Sequence, residues 1–171
     1  MAASKAARRR SKSSASERAA PPGLVDPADA AWARAVRWLA AHDRSERELR
    51  TRLAAIGAAA DTIDVTIRRL SAFGYLDDHR FAVSTAEQAA RRGHGSDYVR
   101  AHLAQHGVVD DLIDAAVAST FVDETALAQR VLRQRYPIEP RRPAERAKAA
   151  RFLQQRGFPE AVVLAILGEG C

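Results

Sequence analysis

Cysteine is almost missing from this chain of 171 residues: the single one, Cys171, is its last residue. No disulfide can form within the chain and no cysteine-rich zinc site can assemble, which excludes the secreted disulfide scaffolds. Aromatic residues are scarce at 6%, although 47% of the residues are apolar. Much of that apolar content is alanine, and an alanine-rich, aromatic-poor chain favours helix over sheet. Long hydrophobic runs are missing too. None approaches the roughly 18 apolar residues of a membrane span, and no apolar stretch follows the basic start to make a secretory signal. A sustained alternation of β-branched residues, the mark of a strand, does not occur. A soluble, cytoplasmic, helical protein is expected, built as one domain or one short repeat array.

What charge there is lies unevenly. The net charge of +6 comes mostly from residues 1–20, where six bases face one acid. The remaining body is close to neutral, with an acidic middle and a basic end. Residues 108–126 hold five acids and no base, and residues 130–156 hold nine bases against two acids. Such a distribution suits a partner with an anionic or mixed surface. Residues 1–27 are rich in Ser, Ala and Arg and run into Pro21, Pro22, Gly23 and Pro27. They read as a disordered basic N-terminal tail. A solvated tail is the plainest reading, a weak, salt-sensitive nucleic-acid arm the second, and an organellar transit peptide the third.

From Asp29 onward the pattern is helical. Trp32, Ala35, Val36 and Leu39 mark one helix face. Ser45 with Glu48 forms a capping-box pattern for a second helix, and Asp61 is placed to cap a third. The most informative feature is an internal repeat of 50 residues, set by Gly57, Gly107 and Gly157. Leu53, Leu103 and Leu153 stand four residues before the glycines, and Leu49, Val99 and Ala149 eight before. Ile63, Ile113 and Val163 follow six residues after, and Ile67, Val117 and Leu167 ten after. Ala31, Phe81 and Val131 keep the same phase further upstream. The leucines seat a middle helix, the glycine ends it in a left-handed turn, and the aliphatic pair seats the next helix. The expected fold is all-α: three tandem three-helix repeats, 28–73, 77–121 and 123–168, forming an elongated, curved array. Such an array offers a long binding face rather than the deep pocket of an enzyme.

Residues that could carry chemistry have plainer roles. His102 and His106 share a helix face and could hold a metal, but Leu103 stands where a zinc-protease helix carries glutamate. They read as ordinary surface histidines. Asp77 and Asp78 read as helix caps, and Gly93-His94-Gly95 as a helix-to-helix turn. No catalytic group, metal site or cofactor is expected. The best binding candidates are the arginines of the basic end: Arg130, Arg133, Arg135, Arg141, Arg142, Arg146 and Arg151. Guanidinium groups match the forks of phosphates and carboxylates. With only Tyr136 and Phe152 nearby, base stacking is poorly served. Contact with phosphate or an acidic protein is the better expectation.

Four blocks in order resemble a known family. Arg44-Ser45-Glu46-Arg47-Glu48-Leu49 followed by Leu53, and Gly74-Tyr75-Leu76-Asp77-Asp78 followed by Phe81-Ala82, are similar to two signature blocks of the RecX regulators. Leu103 with Gly107-Val108, and Phe152-Leu153-Gln154-Gln155-Arg156-Gly157-Phe158, resemble the family's later blocks. The resemblance implies a fold of tandem three-helix repeats. It also implies a non-enzymatic modulator of the RecA recombinase, most often an inhibitor, lying in the groove of the RecA filament on single-stranded DNA. The expected partners are that filament and, weakly and without sequence preference, single-stranded DNA. No membrane partner is expected, and the chain is expected to be a monomer. The competing readings are a general helical DNA-binding or transcriptional module and a helical enzyme whose site the sequence does not reveal.

Overall fold

The computed structural model describes residues 26–168, so the basic tail lies outside the described residues except for Asp26 and Pro27. Nine helices and no strand occur among the described residues. The first repeat holds α1 (Pro27–Ala41), α2 (Glu46–Ala55) and α3 (Ala60–Ala72). The second holds α4 (Asp78–Arg91), α5 (Ser96–Gln105) and α6 (Asp110–Thr120). The third holds α7 (Glu124–Arg135), α8 (Pro143–Gln155) and α9 (Glu160–Leu167). In each repeat the first and third helices pack together and the middle helix closes the group. Among the described residues no helix is long and apolar enough to cross a membrane.

Each repeat buries its own small core, and the 50-residue frame picks out the residues. Leu49, Val99 and Ala149 are fully buried, as are Leu53, Leu103 and Leu153. The aliphatic pairs of α3, α6 and α9 and the upstream Ala31, Phe81 and Val131 are buried with them. Gly57, Gly107 and Gly157 all adopt positive φ, at 83°, 75° and 75°, in the turn that ends each middle helix.

The helix starts correct three expectations, one of them Asp78, which is the first residue of α4 rather than its cap and accepts from Glu46 N instead. Ser45 Oγ accepts from Glu48 N at 3.2 Å, but Glu48 turns its carboxylate to Arg44, Arg52 and His106 rather than back to the cap. Half of the capping box is therefore formed. Asp61 does not cap α3: Ala59 holds that position with no side-chain bond, and Asp61 lies in the first turn, where its charge still favours the helix dipole. Asp77 does cap α4, through Arg80 N at 2.9 Å, and Pro143 opens α8.

Two joints connect the repeats, and they are built alike. The N-terminal end of α2 meets the end of α5: Ser45 Oγ donates to His106 O at 2.6 Å. The N-terminal end of α5 meets the end of α8: Gly95 N donates to Arg156 O at 2.9 Å and Asp97 N to Gly157 O at 3.0 Å. At both joints an acid at the start of the following repeat accepts from the first turn of the middle helix. Asp78 Oδ1 takes Glu46 N at 2.9 Å, and Glu124 Oε1 takes Ser96 N at 2.6 Å. The helix-end carbonyl accepts from a hydroxyl at the first joint and from free amides at the second, and at both the carboxylate sits at the positive pole of the dipole. Burial raises the proton affinity of the Asp78 carboxyl, and the bond from Glu46 N opposes that.

Glu124 also accepts from Ser96 Oγ at 2.8 Å. Glu124→Ala should therefore cost about 1–2 kcal/mol, the loss expected when charge-assisted bonds to a half-buried amide go unmade. Urea denaturation checks it, and an unchanged midpoint would remove the acid from the joint.

Candidate functional site: an arginine-lined cleft between two repeats

The end of α4 carries Arg91, Arg92 and Gly93, and it faces α7 and the end of α8. Between them lies a cleft of about 540 Å³, lined by Arg91, Arg92, Arg130, Arg135 and Arg156 with Val131, Gln134 and Phe152. No acidic residue lines it. The helices explain the convergence. Val131 and Leu132 of α7 are buried in the third core, which turns the neighbouring Arg130, Arg133 and Arg135 outward. Arg91 and Arg92 sit in the last turn of α4, where basic groups favour the helix dipole.

The cleft is pre-arranged at its centre. Arg156 Nη1 donates to Arg92 O at 3.0 Å, and the guanidinium lies 5.4 Å from the Phe152 ring centroid. Gly93 is needed for this approach: a Cβ there would stand 2.9 Å from Val131 Cγ2. Arg91 pairs with Glu87 at 3.3 Å on the exposed side of α4. Among the described residues, no carboxylate lies within ion-pair distance of Arg92, Arg130, Arg133, Arg135 or Arg156. A concave group of unpaired guanidinium groups attracts anions.

The arginines expected from sequence do not form one site. Arg130 and Arg135 line the cleft, and Arg133 lines an adjoining hollow with Arg91 and Arg130. Arg141 and Arg146 border a separate hollow of about 340 Å³ with Leu132, Glu139 and Ile166. Arg142 is the residue before α8, 3.9 Å from the Glu145 carboxylate. Backbone N–H groups of Arg142 and Arg141 hold the Glu145 carboxyl below its ordinary proton affinity. Arg151 is exposed on α8 and lines neither hollow. Arg91, Arg92 and Arg156 were not among the expected site residues. The paired arginines before Gly93 were the available signal.

Beside the cleft, a file of rings runs along α5. His94 stacks on Tyr98 at 4.0 Å, Tyr98 on His102 at 5.8 Å, and His102 lies 4.6 Å from His106, which meets Phe81 at 5.9 Å. No group of three metal-ligating side chains occurs among the described residues. Burial lowers the proton affinity of both His94 and His102, with Arg156 adding to the effect on His94 and His106 to that on His102. Both imidazoles therefore bind a proton more readily in the unfolded chain. Their stability contribution is full above the ordinary histidine value of about 6.5 and is lost as pH falls toward the lowered values. The melting temperature should drop between about pH 7.5 and about pH 5.5, and His102→Gln should reduce the drop. An equal drop in that variant would count against the ring file as its source.

Comparison with known proteins agrees with this architecture. Three family models match in order: RecX, first three-helix domain, over residues 31–70; the second three-helix domain over 77–117; and the third over 123–167. The chain is 40% identical over 124 residues to the regulatory protein RecX of Chromohalobacter salexigens, covering 72% of this chain and 82% of that one. It is 36% identical over 126 residues to the regulatory protein RecX of Xanthomonas campestris, covering 73% and 78%. A crystal structure of RecX from Lactobacillus salivarius superposes with a TM-score of 0.71 at 20% identity, over 85% of this chain and 97% of that one. A second crystal structure, of a regulatory protein RecX, gives 0.69 at 25% identity over 84% and 73%. With its three repeats each matched by the corresponding family domain, the chain belongs to the RecX family of regulatory proteins.

Proposed function

We propose that this protein binds the RecA recombinase filament on single-stranded DNA and restrains its ATP hydrolysis, strand exchange and co-protease activity. The observation that carries the reading is the ordered match of all three repeats to the RecX domains. The physical form supports it. Repeats joined end to end can lie along a helical groove and touch successive protomers, and many modest contacts then add through effective concentration. The acid-free arginine cleft supplies charge for acidic side chains or phosphates of such a partner. The protein acts as a non-enzymatic, cytoplasmic monomer, with units 28–73, 77–121 and 123–168 behind a basic tail 1–27.

The test is the single-stranded-DNA-dependent ATPase of a cognate RecA, with this protein titrated in at two salt concentrations. Inhibition at protein well below the RecA concentration is expected, weaker at the higher salt. No effect from the folded protein would overturn the reading. Sequence-selective binding to duplex DNA without RecA would instead favour a DNA-binding module.

A further inference from the structure

We propose that the cleft between the second and third repeats binds a compact oligophosphate: two or three phosphate groups in a row, as in inorganic triphosphate or the phosphate chain of a nucleotide. Five arginines line one cavity of about 540 Å³, and four of them, Arg92, Arg130, Arg135 and Arg156, have no carboxylate partner among the described residues. Like charges gathered with no acid among the lining residues repel one another, and an anion placed between them relieves that repulsion. A single phosphate has too few oxygens to engage four planar forks, whereas a chain of phosphates in one molecule can engage several at once.

The cleft is built rather than accidental. Arg156 is fixed by the Arg92 carbonyl, and Gly93 leaves room that a Cβ would take from Val131. Val131 and Phe152 are the apolar side chains among its lining residues. Its walls come from α4 on one side and α7 and α8 on the other. The arginines face one another across a single short cleft, and Phe152 is the aromatic side chain among its lining residues, so several phosphates held in one small molecule suit it. Phosphates of a free oligophosphate and of a strand backbone share this chemistry, and the probes below separate the two. The proposed site rests on the cleft assigned above to partner contact, yet its occupancy is read without RecA, so failure of one leaves the other to be judged separately.

Calorimetric titration of the full chain tests it, with inorganic triphosphate, monophosphate and a short oligothymidylate as probes. Saturable binding of one triphosphate per chain is expected, with monophosphate at least about tenfold weaker. Arg92→Gln with Arg130→Gln should weaken triphosphate binding by about tenfold or more, the scale of two lost charge-assisted contacts. Arg34→Gln with Arg37→Gln, an equal charge loss on α1, should change it by less than about twofold. Circular dichroism confirms that both variants keep their helices. Three results would each overturn the site: no saturable triphosphate binding, equal weakening in the α1 variant, or tight oligothymidylate binding that triphosphate does not displace.

Discussion

Gly157→Ala should destabilise the protein by about 3 kcal/mol, and Gly57→Ala by only about 1 kcal/mol, although the two glycines end equivalent helices with the same left-handed backbone. The shared part is conformational: φ is 75° at one and 83° at the other, a region that costs a side-chain-bearing residue about 1–2 kcal/mol. The difference is the joint. A Cβ at Gly57 meets nothing within 4 Å, whereas at Gly157 it would stand 2.5 Å from both N and Cβ of Tyr98. Backbone cannot swing aside as a long side chain can. To make room, α5 and α8 must part, and the bond from Asp97 N to Gly157 O, 3.0 Å long, stretches with them. Gly107 is the informative intermediate, because its Cβ would meet the stem of Arg47, whose Cγ and Cδ can turn away while its Cβ, at 2.8 Å, is held by α2. The expected order of loss is Gly57, then Gly107, then Gly157. Urea denaturation measures it, and hydrogen exchange at the Gly95 and Asp97 amides reports the joint itself. Equal losses at Gly57 and Gly157 would mean that the end-to-end contact contributes nothing to stability.

The same glycines show what could and could not be read from the sequence. Their spacing was visible, and so was the core, because a residue that seats a helix recurs at the same offset in each repeat. Leu53, Leu103 and Leu153 could be placed in the interior without any structure. The joint was not visible. Ser45 and His106 are far apart in the chain, and neither residue type announces a bond between a hydroxyl and a helix-end carbonyl. As helix stops the glycines are legible in the sequence, while two of them also clear space for the neighbouring repeat. Local cap rules failed at Asp61 for a related reason: the aliphatic face of α3 places Ile63 and Ile67 in the core, and the helix that does so begins before the aspartate. The arginine site was half legible. Charge density along the chain pointed to Arg130 and Arg135, but the fold brings them to Arg91 and Arg92 of another repeat and leaves Arg141 and Arg142 elsewhere. Linear charge runs follow the chain, whereas a binding surface follows the packing.

Arg130→Glu with Arg135→Glu is expected to raise the half-inhibitory concentration against RecA ATPase by at least about tenfold, equivalent to about 1.4 kcal/mol of lost binding. Both side chains are exposed and without carboxylate partners among the described residues, so reversal removes attraction without opening the core. It also places two acids among Arg91, Arg92 and Arg156, which can pair with them and neutralise the cleft. The triple reversal of Arg141, Arg142 and Arg146 should lower inhibition by a smaller factor. That hollow already contains Glu139 and is partly apolar through Leu132 and Ile166, and Arg142 is engaged by Glu145. Arg130→Gln with Arg135→Gln should fall between wild type and the double reversal if charge, rather than shape, is what the partner reads. The salt dependence separates the cases further. Inhibition by the wild type should weaken as salt rises, and the cleft variants should show a shallower slope, because fewer charge contacts remain to be screened. A folded double-reversal variant of undiminished potency would place the RecA contact on another face of the array. A loss of potency with an unchanged salt slope would show that the cleft acts through its shape and not through its charge.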